Sequence, residues 1–315
     1  MSLHYPFLLR LANSNRTGGM QEREQDSSGW NDDPEPEEDY ALDYAVNILL
    51  CLICGVLLVV MMYIGYRVYK IVKLKDKAML GMIFFLNLEL MSKVIFYAIN
   101  AAFVSPAHRY DPDFDINPVV MIVTLVLPVQ FLSIAIIINL RNWIYYHIKI
   151  GEMAFHSQKQ ELDRDENCFV DDYLVKLHRN MKKYVFWLDI TTGGLIVIDL
   201  SSLIGITIYS SETCSSHLKV VELITGVVFG VLAVAFGATG ILILSRLQQY
   251  FPMFYTENKS MILFATFGLM ISLLCRAVID NIRYFSTELD NLFSANINLF
   301  NTLMLIFCDV IPILF

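Results

Sequence analysis

Seven long apolar runs alternate with short polar stretches along the chain. They cover about 44–66 ("YAVNILLCLICGVLLVVMMYIGY"), 78–103, 118–142, 184–209, 219–245, 260–280 and 296–315. Each reaches or exceeds the roughly 20 residues that cross a hydrocarbon core of about 30 Å at 1.5 Å per residue. Unpaired backbone groups in lipid cost several kcal/mol each, so every run is expected to be helical. The pattern therefore predicts an all-α membrane protein, a bundle of seven transmembrane helices over 44–315. Residues 1–43 lack the pattern. They are polar and rich in Gly, Ser, Asn and Pro, and they end in the acidic block "NDDPEPEEDYALD"; a disordered tail is expected there. "YPFLLRLA" is too short for a signal-peptide core, which leaves the first spanning helix to act as its own signal.

The third run continues into "NWIYYHIKI", and a long connecting loop, 150–182, separates it from the fourth. Within this loop Val170, Leu174 and Leu177 recur at i, i+4 and i+7, with Asp171 and Asp172 early and Lys182 and Lys183 late. That spacing predicts an amphipathic helix whose charges suit its dipole. Two readings are open. The helix lies on an anionic leaflet through Arg179, Lys182 and Lys183, or it is a docking surface for a partner.

Composition supports a membrane protein: 56% of residues are hydrophobic, 17% are charged, and the mean hydropathy is +0.53. The net charge of −8 arises largely in the N-terminal acidic block, and nothing basic enough to hold nucleic acid is present. Of the 23 Lys and Arg residues, 15 fall in the connections after the first, third and fifth runs. Six lie in the N-terminal tail and the other connections, and Lys93 and Arg276 lie inside runs. The positive-inside rule then sets the N-terminus outside or in a lumen and the C-terminus in the cytosol. Asn15 in "NRT" is a glycosylation acceptor on that outer tail, in keeping with this orientation. Phe315 falls at the edge of the last run, so the expectation is either a protein with no cytosolic tail or an incomplete chain. Six scattered cysteines imply no disulfide framework, and Cys51 and Cys54, inside the first run, read as small packing residues.

Charge within the apolar runs narrows the candidates. Glu89, Lys93, Asp189, Asp199, Arg276 and Asp309 all sit there, each at roughly 2.5–3.5 kcal/mol on insertion scales. Glu89 and Lys93 share one helix face at i, i+4. Counting from the cytosolic helix starts puts Lys93, Asp199 and Arg276 at one level, about 23 Å up. A polar network of Glu89, Lys93, Asp199, Arg276 and Asp309 is therefore expected, with Asp199 as shared acceptor. It is either structural, pinning helix 2 against helices 4 and 6, or the lining of a polar cavity that takes a ligand or ion.

Several chemistries fit poorly. All six histidines lie in loops or at membrane edges, against axial haem ligation and against an intramembrane zinc hydrolase. Asp189 and Asp199 are ten residues apart on one helix, unlike the facing carboxylates of an aspartyl protease. The seventh run has no lysine to carry retinal. The third run ends in "INLRNW" and the seventh reads "FCDVIPILF", neither matching rhodopsin-like receptors. Gly194, Gly226, Gly230, Gly237 and Gly240 are expected to let helices 4 and 5 pack closely. No catalytic residue, cofactor or metal site is expected.

Three stretches carry a resemblance: "LPVQFLSIAIIINLRNWIYY", "LLCRAVID" and "CDVIPILF". Together they resemble the seven-helix family of the plant tobamovirus multiplication proteins and the related animal lysosomal orphan receptors, over about 44–315. Pro128, Gln130, Arg276, Asp309 and Pro312 match that pattern. The acidic tail, the loop 150–182 and the lack of a C-terminal tail depart from it. The resemblance implies a vacuolar or lysosomal protein, with the plasma membrane as the alternative. It implies work by contact with cytosolic small GTPases rather than by catalysis. A transporter built around Lys93, Asp199 and Arg276, and an atypical G-protein-coupled receptor, are the competing readings.

Overall fold

The computed structural model describes residues 37–72, 76–104, 118–162, 171–209, 214–286 and 302–310. Asn15, Val170, Pro312 and the Asp309 side chain lie outside the described residues, as do most of the seventh run and of the acidic tail. The described chain is almost entirely helical. Six helices follow in order: α1 (Glu37–Val72), α2 (Lys77–Val104), α3 (Pro118–Leu162), α4 (Asp172–Tyr209), α5 (Cys214–Tyr250) and α6 (Pro252–Phe285). All six contain stretches long and apolar enough to cross a membrane, which makes this an integral membrane protein. A short helical stretch widens into a π-helix at Leu305–Val310, held to α6 where Ser272 Oγ donates to the Phe307 carbonyl at 2.6 Å.

The helices outrun the apolar runs that predict them. Hydrophobicity marks only what lipid demands, whereas the i→i−4 ladder continues as long as no Pro or Gly stops it. Thus residues 37–43, read from the sequence as tail, belong to α1. Most of the expected loop 150–182 is helix as well: α3 runs through to Leu162 and α4 begins at Asp172. At 1.5 Å per residue the 45 residues of α3 and 38 of α4 extend about 68 and 57 Å. Both exceed the roughly 30 Å of a hydrocarbon core, and the two helices run antiparallel, side by side, from Asp199 beside Ser133 to His178 beside Phe155.

The bundle is arranged around α3. Residues Ile134–Ile138 are buried on every side, against Leu86 and Leu90 of α2 and Phe229 and Phe236 of α5. The sequence order α1–α2–α3–α4 is also a packing order, and α5 joins α3 and α6. A second core of Leu50, Cys54, Phe96, Tyr97 and Leu305 ties α1 and α2 to the π-helix; the cysteines of the CxxC form no disulfide, with Cys54 buried there and Cys51 against it. By contrast α4 packs chiefly along α3. Phe186, Trp187, Ile190, Val197 and Ile198 on its span are exposed, as expected of a lipid-facing or partner-facing helix.

The glycine expectation needs correction. On α5, added Cβ atoms would press on α6: Gly226 on Asn281 Nδ2 at 2.7 Å and the Ala277 carbonyl at 3.2 Å, Gly237 on Met270 Sδ at 2.7 Å, and Gly240 on Thr266. These glycines bring α5 against α6, not against α4. Gly194 on α4 faces open space.

Candidate functional site

Asp199 has its partners on α3. Ser133 Oγ donates to Asp199 Oδ1 at 3.4 Å. The Gln130 side-chain nitrogen, in the amide orientation that avoids oxygen facing oxygen, lies 2.8 Å from Oδ1 and 3.0 Å from Oδ2. Gln130 and Ser133 are i, i+3 on a helix, so both reach one acceptor. Pro128, two residues earlier, is buried inside α3 and removes one N–H from its ladder. Gln130 and Ser133 therefore converge on the one half-buried carboxylate of α4.

Lys93 and Arg276 each have a carboxylate partner on their own helix. Lys93 forms an ion pair with Glu89, both buried. Arg276 lies 3.8 Å from Asp280 on α6 and its guanidinium sits 5.0 Å from the Phe229 ring centroid of α5. Among the described residues no ion pair links Lys93, Asp199 and Arg276 to one another; α4 packs against α3, while Lys93 and Arg276 sit on helices flanking α3 and α5. An apolar groove of about 770 Å³ opens between α5 and α6, along Gly226, Gly230, Val234 and Ala277.

Three arrangements escaped sequence reasoning because their members are far apart in the chain. Arg141 near the middle of α3 donates through Nε and Nη2 to Asp189 Oδ1 of α4, at 2.9 and 2.7 Å; this neutralises a charge that the sequence alone left unpaired. At the hairpin tip Asp171 caps α4, its Oδ1 accepting from the Tyr173 N–H at 2.9 Å. Its Oδ2 accepts from the Tyr250 hydroxyl at 2.8 Å, and Arg246 of α5 lies 4.1 Å from the Tyr173 ring centroid. The charged, aromatic cluster bolts the start of α4 to the end of α5. Finally, Glu152, His156 and His178 bring potential ligand atoms within 4.8 Å of one another, the one group of possible metal ligands among the described residues.

The residues predicted to form an amphipathic helix do lie on one. Leu174 and Leu177 are buried, with Leu177 filling the space beside Gly151 of α3, while Arg179, Lys182 and Lys183 are exposed. The apolar stripe thus faces α3, and the helix is the first three turns of α4 rather than a separate element. Asp171→Ala removes both the cap and the Tyr250 bond. Its expected cost is about 1–2 kcal/mol in chemical denaturation of the solubilised protein, with Tyr250→Phe accounting for the smaller part.

No family model matches the sequence, and neither a curated protein nor a solved structure does.

Proposed function

We propose that the chain is a non-enzymatic, receptor-like multi-pass protein of the endomembrane system, vacuolar or lysosomal, that recruits cytosolic partners of the small-GTPase type. In this reading it has seven spans, a lumenal N-terminus bearing a glycan at Asn15, and a cytosolic C-terminus. The resemblance at Pro128, Gln130, Arg276, Asp309 and Pro312 supports the family.

The observation that carries the reading is the α3–α4 hairpin. It sits on the side richest in Lys and Arg, and it is a preorganised two-helix projection. Buried Leu174 and Leu177 lock α4 to α3, and the Asp171–Tyr250 bond and the Arg246–Tyr173 contact lock it to α5. A rigid surface loses little entropy on docking. The exposed side chains of that surface, Tyr173, Lys176, Arg179, Lys182 and Lys183, suit a protein partner with an acidic face.

The test leaves the fold intact. The triple variant R179E/K182E/K183E reverses charge at exposed positions only. Proteins co-purified in mild detergent from native membranes are compared with wild type by mass spectrometry. A small GTPase present with wild type and reduced at least about tenfold with the variant supports the reading, since like-charge juxtaposition costs several kcal/mol. The same partners at the same levels overturn the hairpin as the docking surface.

Transport is the second reading, favoured by the hydrogen-bonded Asp199 between α3 and α4. It requires loss of substrate flux in Asp199→Asn at unchanged expression.

A further inference from the structure

We infer that Glu152, His156 and His178 form a zinc site that clasps the α3–α4 hairpin. Three independent features of the geometry support it. The first is the donor set. Two imidazoles and one carboxylate, with no thiolate among them, suit Zn²⁺ and disfavour Mg²⁺ and Ca²⁺, which take oxygen ligands. Two histidines and a glutamate leave a fourth tetrahedral position for water or an external ligand.

The second feature is distance. Zn–N and Zn–O bonds of about 2.0–2.2 Å place tetrahedral ligand atoms roughly 3.3 Å apart. The three side chains have ligand atoms already within 4.8 Å, so rotations of half-exposed to exposed side chains close the gap without moving the backbone. Lys149 holds one oxygen of Glu152, Oε2, and the other oxygen is the one available to the metal.

The third is preorganisation. Glu152 and His156 are i, i+4 on α3 and share a face. His178 comes from α4 and directly follows buried Leu177, whose side chain occupies the space over Gly151 beside Glu152. The two backbones therefore approach closely at the metal-binding level. Phe155 stacks on the His178 ring, with centroids 4.4 Å apart and planes at 13°, and fixes the imidazole plane. The His156 and His178 rings lie 5.3 Å apart, near perpendicular. His178 lies 22 positions beyond His156, too far for a local metal motif. Only the antiparallel return of α4 brings it back.

Bound zinc would add coordination to the packing of Leu174 and Leu177 that joins the two helices at this end. The site is separate from Asp199 and does not depend on the partner proposed above.

The experiment uses the full chain in detergent, purified on a tag without histidines and stripped with a chelator. Cobalt(II) is titrated in, the visible d–d bands are recorded, and Zn²⁺ is then added to displace it. Expected are bands of tetrahedral intensity at one ion per chain, bleached by zinc. His156→Ala and His178→Ala should each weaken binding by more than about 10-fold, the loss that outer-shell partners alone produce. His178→Cys provides a gain of signal: it should keep the cobalt bands and add a sulfur-to-cobalt charge-transfer band. Absence of d–d bands in the wild type, equal binding in the double variant H156A/H178A, or a His178→Cys spectrum without the new band would each overturn the site. If the alanine variants do not fold, the His178→Cys spectrum decides.

Discussion

Glu89→Gln is expected to destabilise the solubilised protein by about 3–5 kcal/mol, although it changes a single atom type. Glu89 is fully buried and pairs with Lys93, itself almost buried, between Leu86 and Leu90 at the centre of the bundle. Removing the carboxylate charge leaves an ammonium in a medium that solvates it poorly. Breaking one side of such a pair costs far more than the pair itself contributes. The cost should appear as a shift of the unfolding midpoint in a denaturing-detergent titration, and as reduced yield of monodisperse protein. Adding Lys93→Met to Glu89→Gln should restore at least half of the loss, because a flexible apolar side chain fills the volume of the lysine stem. That recovery is the signature of a structural pair. If instead both single variants unfold like wild type, the pair is not bearing on stability, and the ligand-cavity reading gains the ground it loses.

How far the sequence could be read depended on the physics behind each signal. Membrane residence rests on a sum over some twenty residues, so it survives errors at any one of them; six of the predicted runs are helices that can span. The pair Glu89–Lys93 was accessible because both members lie on one helix, where a spacing of four fixes their meeting. Asp199 was a different problem. Depth counting placed it level with Lys93 and Arg276, but level says nothing of which helices are neighbours. The neighbour of α4 is α3, and the partners are Gln130 and Ser133, residues with no charge to attract notice. The hairpin was half visible: the Leu174–Leu177 stripe implied a buried face, but hydropathy could not tell burial in protein from burial in a leaflet. Nothing local announced that α3 continues to Leu162, because helix propensity beyond the lipid is a weak signal. The His156–His178 meeting follows entirely from that continuation.

The glycines offer the second large effect, and with opposite signs on two helices. Gly240→Val should destabilise by about 1–3 kcal/mol, the usual cost of overfilling a packed interface. Its Cβ would overlap the Cγ2 methyl of Thr266 and lie 2.8 Å from Oγ1 and 3.0 Å from Cβ. Thr266 cannot yield: it is fully buried, β-branched, and its Oγ1 donates to the Ile262 carbonyl at 2.7 Å. The two helices must therefore separate. Thr266→Ala in the Gly240→Val background should recover part of the stability, and a double-mutant cycle reads the coupling directly. Gly194→Ala is expected to be neutral or stabilising by up to about 1 kcal/mol, since nothing lies near its Cβ position and alanine is the better helix former. The contrast tests the packing order, because an α4 packed against α5 would make Gly194 as sensitive as Gly240. Should Gly194→Ala prove as damaging as Gly240→Val in native membranes but harmless in detergent, then the exposed face of α4, with Trp187 and Ile198 on it, is covered in the membrane by another protein. The docking surface proposed for the hairpin would then extend into the bilayer itself.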